Sequence, residues 1–194
     1  MTESVFSYVV THDSGFAPNP FGGFLSLATC KPKIRASANV GDWIVGTAST
    51  KLADADRVIY VARITEVVPL ELYGSEDRFA IKRPQVSGEA WRRHGDNIYF
   101  RDNEGVWTQR RNPHHQTDGM ARDLGGQNAL ICPLFWYFGS LFPTLPDALR
   151  HMVKTGPGHK RLKDTQVATL LGDWLRAWAP GIVTTERAIR DSAV

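Results

Sequence analysis

The sequence predicts an α+β fold, with a β-rich first seventy residues, an aromatic middle and a helical end. Three observations carry this. Short runs of β-branched and aromatic residues, broken by turn residues, fill the chain before residue 70. Between Val167 and Trp178 the apolar residues instead recur at spacings of three and four, the signature of one helical face. Hydrophobic content of 42% and charged content of 22% match folded globular chains, which excludes disorder as the main state. The 194 residues are read as one domain, 1–194, with its helical part at about 143–180.

In order along the chain, residues 6–10 form the first strand and end in the turn-compatible run Thr11, His12, Asp13, Ser14 and Gly15. Pro18-Asn19-Pro20 and Gly22-Gly23 exclude helix and central strand and force an ordered loop. Residues 24–30 resume as a strand. After a turn at 39–41, residues 42–48 form another, with Trp43, Val45 and Thr47 on one face and Ile44 and Gly46 on the other. RVIYVARITEVV, residues 57–68, is the longest strand expected. Residues 71–93 turn polar and read as a surface excursion with one or two short helices. Residues 96–100 and 105–109 form a hairpin around the turn 101–105. A loop follows at 112–126, carrying His114, His115 and Asp118. ALICPLFWYF, residues 129–138, is the most apolar stretch, and Pro133 makes it an edge strand or a broken one. A short helix at 145–153 precedes a second one capped by Asp164 or Thr165. Its apolar face is Val167, Leu170, Leu171, Trp174, Leu175 and Trp178, and Pro180-Gly181 stops it. That face is expected to dock on the sheet structure.

Composition excludes several classes. No apolar run approaches the roughly 18 residues of a membrane span, and the start MTESVFSYVV lacks the features of a secretory leader. Two cysteines, Cys30 and Cys132, exclude a disulfide scaffold and a four-cysteine zinc site, and favour a reducing cytoplasm. A net charge of +3 permits an anionic ligand without the excess of a nucleic-acid coat protein.

Candidate chemistry is sparse. No G-x-S-x-G, P-loop or dinucleotide glycine pattern occurs. Cys30 with a histidine such as His12 is a conceivable thiol pair, weighed against the ordinary inertness of buried cysteine. His114, His115 and Asp118 lack accompanying ligand spacing, so no metal and no cofactor is expected. The cationic string Lys31, Lys33, Arg35 is more informative. On an extended segment, alternate residues share one face and suit phosphate contacts, or else protect an edge strand. Phe16, Asn19 and Phe21 in the stiff loop upstream and Trp43 downstream could stack on a base and read its edge, or simply plug the core.

Thr11–Gly23 (THDSGFAPNPFGG), Ala28–Arg35 (ATCKPKIR) and Val40–Ser49 (VGDWIVGTAS) resemble the nucleotide modification associated domain family of the second type. Gly95–Asp102 (GDNIYFRD) and Phe135–Gly139 (FWYFG) fit the same pattern. That family occurs in bacteria and phages, near systems that modify or recognise altered nucleotides. A looser similarity joins Gly41, Asp42, Trp43 and Ile44, with Ile64, Glu66, Val67 and Val68, to the PUA and EVE superfamily. It implies a PUA-like mixed β-barrel with packed helices and a C-terminal helical segment, binding modified bases in RNA or DNA.

Two functions of different class follow. In the first, the chain is a cytoplasmic binding module for a modified nucleotide or nucleic acid, with no membrane partner. Phe16, Phe21 and Trp43 stack, Asn19 and Asp13 read the base edge, and Lys31, Lys33 and Arg35 hold phosphate. In the second, it is an enzyme acting on a nucleotide, with His12 and Asp13 as acid–base candidates and Cys30 behind them.

Overall fold

A computed structural model describes residues 3–183 apart from 86 and 88. Along the chain the strands are β1 (Ser4–Val10), β2 (Leu25–Leu27), β3 (Trp43–Ala48), β4 (Val58–Arg63), β5 (Glu66–Pro69), β6 (Tyr99–Arg101), β7 (Trp107–Gln109), β8 (Asn128–Cys132), β9 (Leu134–Tyr137), β10 (His159–Lys163) and β11 (Gly181–Ile182). The α-helices are α1 (Pro32–Ser37), α2 (Leu70–Ser75), α3 (Met120–Leu124) and α4 (Thr165–Leu175). The chain divides into two compact units. Among the described residues, unit 1 takes residues 3–13, Asn39–Thr65 and 132–183; unit 2 takes Ser14–Ala38 and Glu66–Ile131.

Unit 1 is a six-stranded mixed sheet in the order β10-β1-β3-β4-β9-β11. β1 runs parallel to β3 and β9 parallel to β11, while the other neighbours are antiparallel. Period-two alternation sorts its side chains. Val5, Trp43, Val45, Val61 and Trp136 form one face, covered by Leu149 and Met152 from a 3-10 turn and by Val167, Leu171 and Leu175 of α4. Asp164 caps α4 by accepting the Gln166 N–H at 2.8 Å, as the sequence predicts. Leu170 is the exception on the expected face and stands partly in solvent. The opposite face carries Tyr8, Tyr60 and Tyr137. The Tyr60 hydroxyl donates to that of Tyr8 at 2.8 Å, and the Tyr137 hydroxyl donates to Asp13. Gly46 lies opposite Tyr60, where a Cβ would come within 2.3 Å of the ring.

Unit 2 holds a three-stranded sheet, β2-β8-β5, and the β6–β7 hairpin. The hairpin turn is closed by Asp102, whose carboxylate accepts the Glu104 and Val106 N–H groups at 3.0 and 2.9 Å. Its apolar interior has two clusters, one around Tyr73, Phe79 and Ile131 and one around Phe16, Ile98 and Tyr99.

Several expectations are corrected. The structure is mixed α and β, but among the described residues no sheet closes into a barrel. The stretch 57–68 is not one strand: it breaks after Arg63, so that β4 joins the six-stranded sheet and β5 the three-stranded one. The strand expected at 24–30 shrinks to β2. Pro133 does break the apolar run, into β8 and β9. The supposed surface excursion at 71–93 buries Tyr73, Phe79 and Lys82, and the loop at 112–126 contains α3. The helix expected at 145–153 is the 3-10 turn Asp147–Met152. No helix among the described residues is long and apolar enough to cross a membrane.

Candidate functional site

In unit 2, buried polar residues fix the backbone around the chemistry-bearing groups. The stiff loop is held by Lys82, which is 1% exposed. Its ammonium donates to the Asn19 carbonyl and side-chain oxygen at 3.0 and 2.8 Å, and to the carbonyls of Phe21 and Phe24. The Asn19 amide in turn donates to the carbonyls of Gly15 and His94 at 3.0 and 2.8 Å. Asp96, also buried, accepts from Ser26, Tyr73 and the Ala28 N–H at 2.9, 2.7 and 3.2 Å. Buried as they are, these groups are satisfied by partners within the protein.

Downstream of β2 the backbone turns sharply. Cys30 and Lys31 both adopt left-handed φ, 55° and 41°, a conformation costing roughly 1–2 kcal/mol for an L-residue. Pro32 then opens α1 with its fixed φ. Arg35 holds the turn from within the helix. Its guanidinium, fully buried, donates to the carbonyls of Cys30 and Asn128, both at 2.8 Å, and to that of Asp123. Gly126 makes this passage possible, because a Cβ there would lie 2.5 Å from the guanidinium carbon.

At this turn three reactive groups converge. One donor atom each from Cys30, His115 and Asp123 lies within 4.8 Å of the others. His115 Nε2 is 2.8 Å from Asp123 Oδ2, with the ring side chain 10% exposed and the carboxylate fully buried. That approach is off the hydrogen-bonding direction, and Nε2 and Asp123 Oδ1 have no hydrogen-bond partner. Tyr99 donates its hydroxyl to Asp123 Oδ2 at 3.2 Å. Arg122, largely in solvent, brings its Nε to 3.7 Å from Oδ1. Phe16 packs against the His115 ring, centroid to centroid 5.7 Å, and Gly119 leaves room for it.

Electrostatics follow this geometry. Burial, and then the Asp123 charge, push the Cys30 thiol up, so the group is held as a thiol. Burial works to raise Asp123 too, but His115, the Cys30 backbone N–H and Arg35 together outweigh it and keep the carboxyl below the usual range. Burial and Asp123 push the Tyr99 hydroxyl up, which keeps it a donor. Nearby, His94 Nδ1 and His114 Nε2 are 2.6 Å apart in a stacked pair. Burial, then His114 and Arg93, lower His94 to about 4, so it is neutral near pH 7.

The sequence-predicted residues are distributed differently from the expected pocket. Phe16 is 4% exposed and lies in the apolar cluster with Ile98 and Tyr99. Asn19 is buried with both ends of its amide engaged. Phe21 is 8% exposed, with its ring 5.9 Å from Trp91. The extended cationic segment is corrected: residues 32–37 are helical, and two positions along a helix turn by about 200°. Lys33 therefore faces solvent, Arg35 faces the interior, and Lys31 sits half-buried before the helix. Trp43 belongs to unit 1, stacked 6.4 Å from Trp136 in its core. His12 is exposed beside Thr11 in unit 1, and Asp13 accepts from Tyr137. Asp118, expected beside His114 and His115, is exposed and does not join them.

Sequence reasoning missed Asp123, Lys82, Asp96 and the partnership of His115 with Cys30. No spacing signals a set whose members are 85 and 8 residues apart. A cavity of about 580 Å³ in unit 1, lined by Thr50–Ala55, Arg57, Leu141 and Phe142, contains none of these groups.

Comparison with known proteins yields no match among curated proteins or solved structures. The family model described as Nucleotide modification associated domain 2 matches residues 2–190, nearly end to end, and the chain belongs to that family.

Proposed function

We propose that the chain is an enzyme acting on a nucleotide or modified base within a nucleotide-modification system, with Cys30, His115 and Asp123 as its reactive centre. The observation that carries this reading is their convergence from three separate segments onto one partly accessible spot. An imidazole against a carboxylate is suited to moving a proton, and a thiol supplies a nucleophile or a soft ligand. Family membership directs the choice of substrate class toward nucleotides and nucleic acids. Two free cysteines accord with a reducing, cytoplasmic setting.

The test is product formation from a panel of modified and unmodified nucleotides and short oligonucleotides, followed by mass spectrometry. Turnover by the parent and its loss in folded His115→Gln is the expected result. Absence of product with every substrate, from protein that still binds one of them saturably, rejects the enzyme reading.

That second outcome is what a binding module would give. The specific observation favouring it is the solvent-facing Lys33 on a unit that also carries the Phe21–Trp91 ring pair. The resemblance to PUA and EVE base-binding proteins belongs with this second reading. It would now rest on Phe21, Lys31 and Lys33 rather than on Phe16, Asn19 and Arg35, whose polar or aromatic groups are committed inside unit 2.

A further inference from the structure

We propose that Cys30, His115 and Asp123 hold a divalent transition-metal ion, zinc foremost, leaving a fourth coordination position open. This rests on the same residues as the proposed function but asks a separate question, what binds there.

The donor set is the first argument. One sulfur, one imidazole nitrogen and one carboxylate oxygen match the borderline softness of zinc, and three protein ligands with an open position are the pattern of catalytic sites. Spacing is the second. Ligands at roughly 2.0–2.3 Å from a tetrahedral ion stand roughly 3.3–3.8 Å apart. Donor atoms already within 4.8 Å reach that arrangement by side-chain adjustments on the order of 1 Å.

Unsatisfied groups supply an independent pointer. Asp123 is fully buried, yet its Oδ1 has no hydrogen-bond partner, and neither does the buried His115 Nε2. Buried polar atoms in this state are uncommon, and a bound cation would satisfy them. A cation would satisfy the carboxylate and, with the imidazole in the matching tautomer, the ring nitrogen. Cys30 would bind as thiolate, its proton passing to solvent. Thiolate, carboxylate and a dipositive ion then sum to zero charge.

The supporting groups are those a metal site requires. Arg35 grips the main chain of two of the three ligands, through the carbonyls of Cys30 and Asp123, so its positive charge is turned toward carbonyls. Tyr99 orients the Asp123 carboxylate. Gln109 donates to the His115 carbonyl at 3.0 Å, and Phe16 packs on the ring. Of the remaining cations, half-buried Lys31 follows Cys30 directly, and Arg122, beside Asp123, is 65% exposed.

The experiment uses the full chain with any affinity tag removed. Metal content is measured after purification, and protein stripped by chelator is titrated with Zn²⁺ and Co²⁺. The expected results are about one equivalent of metal and a Co²⁺ spectrum with visible d–d absorption and a near-ultraviolet thiolate charge-transfer band. Cys30→Ser should abolish the charge-transfer band, whereas Cys132→Ser should keep it. Arg35→Lys should weaken metal binding roughly 10–100-fold through misplaced ligands. Asp123→Asn, checked by circular dichroism for folding, should also lose the metal. Folded protein that takes up no metal and gives no charge-transfer band overturns the proposal, as does a band that survives Cys30→Ser. Metal binding without turnover of any nucleotide upholds this inference and rejects the proposed enzyme. Turnover unaffected by chelation does the reverse.

Discussion

Replacing Arg35 separates a structural tie from a ligand contact. The side chain is fully buried and donates to three main-chain carbonyls, those of Cys30, Asn128 and Asp123. In Arg35→Met the stem volume is largely kept, but all three acceptors lose a charged donor. Each orphaned group costs about 1–3 kcal/mol, and partial relief by entering water brings the sum to about 3–5 kcal/mol. For a chain of this size each kcal/mol lowers the melting temperature by about 2–4 °C, so a fall of about 6–20 °C is expected. Buried contacts are weakly screened, and the fall should be similar at about 0.1 M and about 1 M salt. Lys33→Ala, on the solvent side of the same helix, should stay within about 0.5 kcal/mol of the parent. Calorimetric or circular-dichroism melts of the three proteins decide the matter. Arg35→Met that melts like the parent, while its nucleotide affinity falls and its salt slope flattens by about 0.7–0.9, would refute the tie and restore the phosphate role.

Three further outcomes follow from buried contacts. Lys82→Met leaves the oxygens of Asn19, Phe21 and Phe24 without their cation, and should destabilise the protein by about 3–5 kcal/mol in urea melts; a loss below about 1 kcal/mol would show that the loop holds itself. Gly46→Ala places a methyl 2.3 Å from Tyr60 and 2.9 Å from Val10, so a cost of about 1–3 kcal/mol is expected, read as a lowered melting temperature. His94 is lowered in the folded state from 6.5 to about 4, so its contribution is fully present above pH 6.5 and is lost as pH falls from 6.5 toward 4. At most about 3 kcal/mol is at stake, and the acid-side slope between those pH values should flatten in His94→Gln; an unchanged slope assigns acid sensitivity to other groups.

How much of the fold was legible depends on how local the determining physics is. α4 was readable because its apolar spacing and its Asp164 cap lie within one short stretch, but it ends at Leu175, short of Trp178 and of the Pro180-Gly181 stop that the sequence suggests. The β6–β7 hairpin was readable for the same reason, since Asp102 closes a turn of neighbours. The break at Pro133 needed only the missing N–H of proline. By contrast, nothing local in RVIYVARITEVV tells where it changes sheets. β4 and β5 have similar composition, and the pairing partners β9 and β8 decide their membership. The segment 31–35 failed through a rule applied in the wrong backbone: alternate cations share a face only when extended, and Pro32 serves here as the first residue of a helix.

The candidate site was legible in its residue types but not in its partnerships. In sequence, His12 is an example partner for Cys30 and Asp118 lies near His115, whereas the structure gathers Cys30, His115 and Asp123. Asp123 brings no motif of its own, and an aspartate inside a short helix reads as solvent-facing until its exposure is known to be zero. What identifies it is a pair of facts available only in three dimensions: a buried carboxylate oxygen without a hydrogen-bond partner, and a thiol and an imidazole within reach of it. The aromatic loop taught the converse. Phe16 and Asn19 looked like ligand groups because they are stiffly presented, yet that stiffness comes from Lys82 and His94 taking up the polar atoms a base would have used. Phe16 still bears on the site, through the imidazole of His115 that it packs against. In this unit the loop is thus part of the frame around the Cys30, His115 and Asp123 cluster, and the proposed chemistry would sit at the turn of Cys30 that Arg35 holds in place.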